Sequence, residues 1–187
     1  MDLDYSQRII DCIDPHSKVL DLGCGDGALL HAMAQQKQVT CYGIEIDFEN
    51  ILACVGRGIS VFQGDINEGL HEFSNHSYDY VILSHTLQQI HKPLFVISEM
   101  LRVGKKAIVS FPNFGYWSIR LQLLLRGKTP KSKSLPYEWY DTPNIRVLTI
   151  QDFKAMCKRE GIYARNLGNE SNWLSEKGVF LLEKFRR

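Results

Sequence analysis

The sequence has no excess of charge of one sign and no long hydrophobic run. Its 22 Lys and Arg residues nearly balance 21 Asp and Glu residues, which leaves a formal net charge of +1 at pH 7. Such a balance does not favour binding to a polyanion such as a nucleic acid. No stretch approaches the roughly 18 consecutive apolar residues of a membrane span, and the acidic residues 1–4 lack the basic and apolar regions of a signal peptide. We therefore expect a cytoplasmic protein with no membrane partner.

Cysteines at metal-binding or disulfide spacing are also missing. The chain has five cysteines, an odd number, widely spread and without a C-x-x-C pair: Cys12, Cys24, Cys41, Cys54 and Cys157. This spacing argues against both a zinc site and a disulfide framework. We expect no bound metal and free, mostly buried thiols in a reducing compartment.

The chain does contain regular alternation of short β-rich runs with helical patterns. Its 187 residues, 44% of them hydrophobic and 23% charged, suit one domain spanning 1–187. The runs are apolar throughout, which indicates strands covered on both faces and hence a parallel sheet. We predict an α/β fold with a mostly parallel seven-stranded sheet and helices on both faces. The predicted strands are 18–22, 39–46, 59–63, 78–84, 107–111, 162–167 and 179–184.

A glycine-rich loop joins the first predicted strand to the helix that follows it. Glycine at Gly23, Gly25 and Gly27 permits positive φ and close approach of a ligand to the backbone. The helix behind the loop offers unpaired N–H groups to a carboxylate or phosphate. Because Gly23-x-Gly25-x-x-Ala28 also fits the dinucleotide pattern, the glycines alone leave NAD open as a ligand.

Three acidic residues stand at the carboxyl ends of the first three predicted strands. Asp21 suits an ammonium group and would be an awkward neighbour for a pyrophosphate. Glu45 follows the loop by about 20 residues, as a ribose-binding acid should, and Asp65 can accept a hydrogen bond from an adenine amino group. Each acid alone would suit a solvated strand end, but the three together favour S-adenosylmethionine (SAM) over NAD. The predicted cofactor-binding residues are Asp21, Gly23, Cys24, Gly25, Gly27, Glu45, Ile46, Asp65, Ile66 and Ser84.

No residue is diagnostic of catalysis. Methyl transfer from a sulfonium needs mainly an aligned nucleophile, and His85, just past the fourth strand, is a weak general-base candidate with a suitable pKa range. A structural role for this histidine is the favoured alternative. No N-P-P-Y or D-P-P-Y follows that strand, which argues against methylation of nucleic-acid bases. Asn113, after the fifth strand, can orient a ligand or shape a turn, and the turn is favoured.

The segment 114–140 interrupts the β/α alternation and mixes aromatic with basic residues. Trp117 and Trp139 are among its aromatics. Such mixtures can bind single-stranded nucleic acid, but the near-zero net charge and the lack of an RNA-binding module disfavour that role. A protein interface suits aromatics and arginine better. A lid over the cofactor pocket is the third interpretation.

Several motifs resemble known families. D-L-G-C-G-D-G, G-I-E-I-D and G-D-I resemble the first three motifs of class I SAM-dependent methyltransferases, which implies their Rossmann-like fold. M-L-R-V-G-K-K-A-I-V-S-F-P-N-F-G and L-P-Y-E-W-Y-D-T-P-N-I resemble the methionine biosynthesis protein W (MetW) family. That resemblance implies a SAM- or S-adenosylhomocysteine-binding protein of methionine biosynthesis that acts beside a homoserine O-acyltransferase. A SAM-dependent methyltransferase with a small-molecule substrate is the alternative.

Overall fold

The computed structural model describes residues 3–168 and 171–184, so residues 1 and 2 of the acidic start lie outside the described part. The strands are β1 Lys18–Leu22, β2 Thr40–Glu45, β3 Ser60–Gln63, β4 Tyr78–Ser84, β5 Gly104–Pro112, β6 Ile162–Asn166 and β7 Lys177–Lys184. The α-helices are α1 Leu3–Cys12, α2 Ala28–Lys37, α3 Phe48–Gly56, α4 Pro93–Val103, α5 Trp117–Arg126 and α6 Ile150–Arg159. Two 3₁₀ turns span Ile66–Glu68 and Leu87–Gln89.

The strands form one seven-stranded sheet in the order β3-β2-β1-β4-β5-β7-β6. Neighbouring strands from β3 through β5 pair in parallel, whereas β7 runs antiparallel to both β5 and β6. The sheet is therefore mixed, and the prediction of a mostly parallel seven-stranded sheet is confirmed. Because β7 runs in the opposite direction, its first residue, Lys177, lies beside Pro112 at the edge where the parallel strands end.

Two apolar layers cover the two faces of the sheet. One layer contains Ile9 of α1, Met33 of α2 and Cys54 of α3. The other contains Met100 of α4 and Phe153 of α6. Strand residues alternate between the layers, as the period of two in a β-strand requires. The prediction of helices on both faces is confirmed.

The starts of α4 and α6 follow local sequence signals, whereas the burial of residues in α3 does not follow their hydrophobicity. Pro93 occupies the first turn of α4, and α6 begins with a capping box in which Thr149 and Asp152 each accept a hydrogen bond from the other's backbone N–H. In α3, however, Leu52 and Val55 are exposed and Cys54 is the buried residue. These two apolar residues of α3 thus face outward rather than toward the sheet.

No helix in residues 3–168 or 171–184 is long and apolar enough to cross a membrane. Within the same ranges, no three His, Cys, Asp or Glu side chains come together as metal ligands would. All five cysteines are free, and Cys24, Cys54 and Cys157 are buried. The prediction of free, mostly buried thiols is confirmed.

Candidate functional site

The three glycines of the loop after β1 all have positive φ, between +55° and +75°. A Cβ at Gly23 would lie 3.1 Å from the Thr86 side chain, and one at Gly27 would lie 2.9 Å from Cys54 Sγ. A Cβ at Gly25 would meet nothing within 4 Å. Gly23 and Gly27 are therefore needed for packing as well as conformation, whereas Gly25 borders open space.

The loop is anchored to β2 and α3 through Cys24. Its thiol lies 3.8 Å from that of Cys54, and a Cβ at Gly43 of β2 would overlap Cys24 Sγ. The backbone N–H groups of Gly23 and Cys24 both donate to Ile44 O. Burial raises the pKa of the Cys24 thiol well above its ordinary value, so the side chain is an inert packing element at neutral pH.

Glu45 ties the end of β2 to the glycine loop. Its Oε2 accepts from Gly25 N at 2.8 Å, while Oε1 accepts from Ile46 N at 2.9 Å and from Asp47 N at 3.0 Å. The side chain is buried. Three backbone N–H donors thus hold the two oxygens of this carboxylate in place directly beside the loop.

Asp21, at the end of β1, is a buried acid without the same support. Its Oδ1 has no hydrogen-bond partner among the described residues. Burial, and then the negative charge of Glu45, raise the pKa of Asp21 from 3.8 to about 8. An ammonium group beside this carboxyl group would lower its pKa and donate to the unpaired oxygen.

Two cavities meet along the carboxyl edge of the sheet, and both are bordered by Gly23 and Gln89. One has a volume of about 430 Å³ and is lined by Glu45, Ile46, Asp65 and Ile66 among others. The other has a volume of about 540 Å³ and is lined by Asp21, Cys24, Gly25, Ser84 and His85 among others. Every residue predicted for cofactor binding lines one of them except Gly27, which lies behind the loop against Cys54.

Asp65 and Ser84 already have partners within the protein. Asp65 Oδ1 accepts from Asn67 N at 2.8 Å and from Asn67 Nδ2 at 2.9 Å, which caps the 3₁₀ turn that follows β3. Ser84 Oγ lies 3.1 Å from Ser110 Oγ across the β4–β5 pair. Both residues therefore shape the edge of the sheet in addition to bordering the cavities.

Asn113 acts in the turn and does not line either cavity. Its Oδ1 accepts from Gly115 N and Ile150 N, and its Nδ2 donates to Asn172 O and Ser175 O. All four hydrogen-bonding positions of the amide are thus used within the fold. The structural interpretation of this residue is confirmed.

The segment after α5, residues 127–149, forms part of the cavity wall. Residues 133, 134, 136, 137 and 144 line the 540 Å³ cavity, while Trp139 and Tyr140 in the same segment are 71% and 70% exposed. The segment therefore presents one side to the cavity and an aromatic side to solvent. Lys177, Gln88 and Asn144 also line this cavity. Contacts between segments distant in sequence bring them there, so local sequence patterns do not predict them.

A model of the family described as methionine biosynthesis protein MetW matches residues 3–182. The chain belongs to the MetW family. A curated relative, the bifunctional methionine biosynthesis protein MetXA/MetW of Rhodopirellula baltica, is 40% identical over 157 residues, which cover 79% of this chain and 25% of that protein. The chain thus spans about a quarter of the length of this MetW relative.

The fold of this chain is similar to the folds of solved structures described as SAM-dependent methyltransferases. One from Archaeoglobus fulgidus has a TM-score of 0.72 at 14% identity, covering 97% of this chain and 92% of its own. Another, from Thermotoga maritima, has a TM-score of 0.67 at 16% identity, covering 97% and 88%. The predicted Rossmann-like class I SAM methyltransferase fold and the resemblance to the MetW family are both confirmed.

Proposed function

We propose that this chain is a SAM-binding protein of methionine biosynthesis that acts together with homoserine O-acyltransferase. The observation that carries the proposal is the relative whose single chain bears both names, MetXA and MetW. We take its MetXA part to be the acyltransferase. Two activities joined in one polypeptide are held at high effective concentration, which benefits units that work in contact.

The cavity residues suit SAM group by group. Asp21, whose buried Oδ1 lacks a partner among the described residues, would take the ammonium group. Glu45, whose Oε1 already accepts from two backbone N–H groups, would accept from a ribose hydroxyl through Oε2. Asp65 would accept from the adenine amino group, and the open space beside Gly25 would admit the ligand close to the backbone. SAM, when bound, supplies a methyl group activated by an adjacent sulfonium. The residues of this chain would bind SAM and orient its methyl group.

The exposed aromatic side of the segment after α5 suits the protein partner. Trp139 and Tyr140 contact each other edge to face, and Leu124 on the outer face of α5 is 81% exposed. Large exposed apolar side chains are unfavourable on a monomer. At an interface, by contrast, a few buried aromatics usually carry most of the binding energy.

The test is co-expression of the chain with the homoserine O-acyltransferase of the same organism, followed by size-exclusion chromatography. We expect co-elution, and we expect Trp139→Ala or Tyr140→Ala to weaken the complex by on the order of 30-fold, as a hot-spot residue would. Tyr163→Ala is the matched control, since Tyr163 is a half-exposed tyrosine of β6 at the edge of the sheet. Separate elution of the wild-type proteins at high micromolar concentration would refute the partnership.

Calorimetric titration with SAM, S-adenosylhomocysteine and NAD tests the cofactor independently. Either adenosyl ligand should bind more tightly than NAD, and the Trp139 and Tyr140 variants should bind SAM normally. A loss of SAM affinity in those variants, with an intact complex, would instead identify the segment as a lid.

A SAM-dependent small-molecule methyltransferase is the second candidate. The observation in its favour is that the 540 Å³ cavity extends beyond Asp21 to His85, Tyr137 and Asn144, which leaves room for a second molecule. Formation of S-adenosylhomocysteine upon addition of a candidate acceptor would establish this activity, whereas a regulator would bind SAM without turnover.

A further inference from the structure

The segment after α5 borders a smaller, apolar cavity next to the 540 Å³ cavity. Its volume is about 90 Å³, and the apolar residues on its walls include Phe114, Pro130, Leu135, Trp139, Val147 and Leu148. An apolar cavity of about 150 Å³ is large enough to bind benzene. This smaller cavity therefore has room for a five-membered ring or a short alkyl group.

The charged side chains on the border of the apolar cavity are already bound within the protein. Glu138 forms an ion pair with Lys131. Arg146 donates to Ile90 O at 3.0 Å and to His91 O at 2.6 Å. Because burial of an unpaired charge is unfavourable and these groups are engaged, the apolar cavity suits a neutral molecule rather than an ion.

Gln88 adds to these walls a buried acceptor without a donor. The side chain is 5% exposed, and its Oε1 has no hydrogen-bond partner within residues 3–168 and 171–184. Its Nε2 donates to His85 O at 2.6 Å, and the opposite orientation of the amide would place two oxygens against each other. The amide is therefore fixed with Oε1 unpaired, which is unfavourable until a donor reaches it.

The segment after α5 also holds the backbone of Gln88 in place. Gln88 lies in the 3₁₀ turn Leu87–Gln89, and its own O accepts from Ile145 N at 3.0 Å and from Arg146 N at 3.1 Å. These hydrogen bonds fix the position of the unpaired acceptor relative to the apolar walls. A ligand that binds to such a preorganised acceptor loses little free energy to the ordering of the protein.

Gln88 borders both cavities. It lines the apolar cavity and the 540 Å³ cavity, as do Pro112, Tyr137 and Asn144. The 540 Å³ cavity is also lined by Asp21, the residue proposed to take the ammonium group of SAM. A molecule in the apolar cavity would therefore lie next to the proposed position of SAM.

We propose that Gln88 and the apolar cavity form a recognition subsite for a small neutral molecule that carries an N–H or O–H donor. The apolar part of the molecule fills the cavity, and its N–H or O–H group donates to Gln88 Oε1. This inference rests on the proposed function, since it names the class of the second molecule that lies beside SAM. The molecule is either a methyl acceptor or an effector, and the subsite is the same in both cases.

The test is a titration of the isotope-labelled protein, without any adenosyl ligand, followed by two-dimensional NMR. The probes are pyrrole and furan, two five-membered rings of nearly equal size of which only pyrrole has an N–H donor. We expect pyrrole to shift the signals of the Gln88 side-chain amide and of the Trp139 indole. Pyrrole should bind at least about fivefold more tightly than furan, because furan leaves the buried acceptor unsatisfied.

Variants assign the preference and the location to residues. Gln88→Met should abolish the preference for pyrrole over furan, because it removes the acceptor. Gln63→Met is the matched control, since Gln63 is an exposed glutamine of the edge strand β3 and lines neither cavity. Leu135→Phe adds volume to the wall of the apolar cavity and should weaken the binding of both probes, which tests the location if Gln88→Met does not fold.

Three results would overturn the subsite. Equal affinity for pyrrole and furan, or no binding of pyrrole, would do so, as would a preference that Gln88→Met leaves unchanged. Unaltered binding of both probes to Leu135→Phe would place them outside the apolar cavity. Because the titration contains no adenosyl ligand, these results are independent of the cofactor. If pyrrole binds as expected but S-adenosylhomocysteine does not bind in calorimetry, the subsite stands and the cofactor proposal fails.

Discussion

Replacement of Asp21 by Asn should make the stability of the ligand-free protein less sensitive to pH. The wild-type carboxyl group has a pKa of about 8 in the folded protein and an ordinary value of 3.8. Between these values the folded state holds a proton that the unfolded state has lost, so the free energy of unfolding falls as pH rises. Below this interval both states hold the proton, and above it neither does. The free energy of unfolding therefore changes with pH through Asp21 only within the interval.

The magnitude follows from the same interval. Each pH unit within it costs the wild type about 1.4 kcal/mol of stability, or about 2.7 kcal/mol from pH 5 to pH 7. The amide of the Asp21→Asn variant would have no such cost, because it is neutral throughout. This variant should therefore match the wild type near pH 4 and become progressively more stable than it up to about pH 8.

Urea denaturation of both proteins at pH 5, 6, 7, 8 and 9, without SAM, measures this difference. Asp26→Asn is the matched control, because Asp26 lies on the same loop but is half-exposed and paired with Arg57 at 2.9 Å. Its difference from the wild type should not grow from pH 5 to pH 8. A constant difference between wild type and Asp21→Asn over that range would refute the assignment of Asp21 as an unsupported buried acid.

Three further predictions concern the loop and its supports. Gly25→Ala should weaken SAM binding at least tenfold by calorimetry, whereas Gly161→Ala, at an equally open position with φ of +65°, should impose similar backbone strain without changing affinity. Glu45→Gln should weaken SAM binding and also lower stability by roughly 1.5–3 kcal/mol, because it replaces a carboxylate that holds three backbone N–H groups; unaltered affinity would mean that the ribose is held elsewhere. Asn113→Ala should lower the free energy of unfolding by at least about 2 kcal/mol, since it leaves buried groups without partners, and an unchanged urea midpoint would contradict this role.

Much of the architecture could be predicted because its signals are local. The apolar run at Lys18–Leu22 has the same bounds as β1, and Thr149 with Asp152 forms the capping box of α6. The gathering of Asp21, Glu45 and Asp65 near one edge also follows from local information. Parallel strands end at the same edge, so residues that follow each strand must lie near one another.

The features that local patterns do not predict depend on strand direction, on which side chains are buried and on contacts between distant segments. Lys177 reaches the cavity only because β7 is antiparallel, which a strand's composition does not reveal. Leu52 and Val55 are apolar but lie on the exposed side of α3. α1 has no counterpart among the predicted elements, although Ile9 and Ile10 of that helix are buried in the core.

The two-sided segment after α5 has a thermodynamic consequence. Residues 133, 134, 136, 137 and 144 line the cavity, and Trp139 and Tyr140 of the same segment are exposed. Any ligand in the cavity that favours the conformation in which the aromatic side binds a protein must therefore raise the affinity for that protein. The coupling is reciprocal: if SAM tightens the complex by some factor, the partner must tighten SAM binding by the same factor. A cell could then read the supply of SAM through the fraction of this chain that is held in complex.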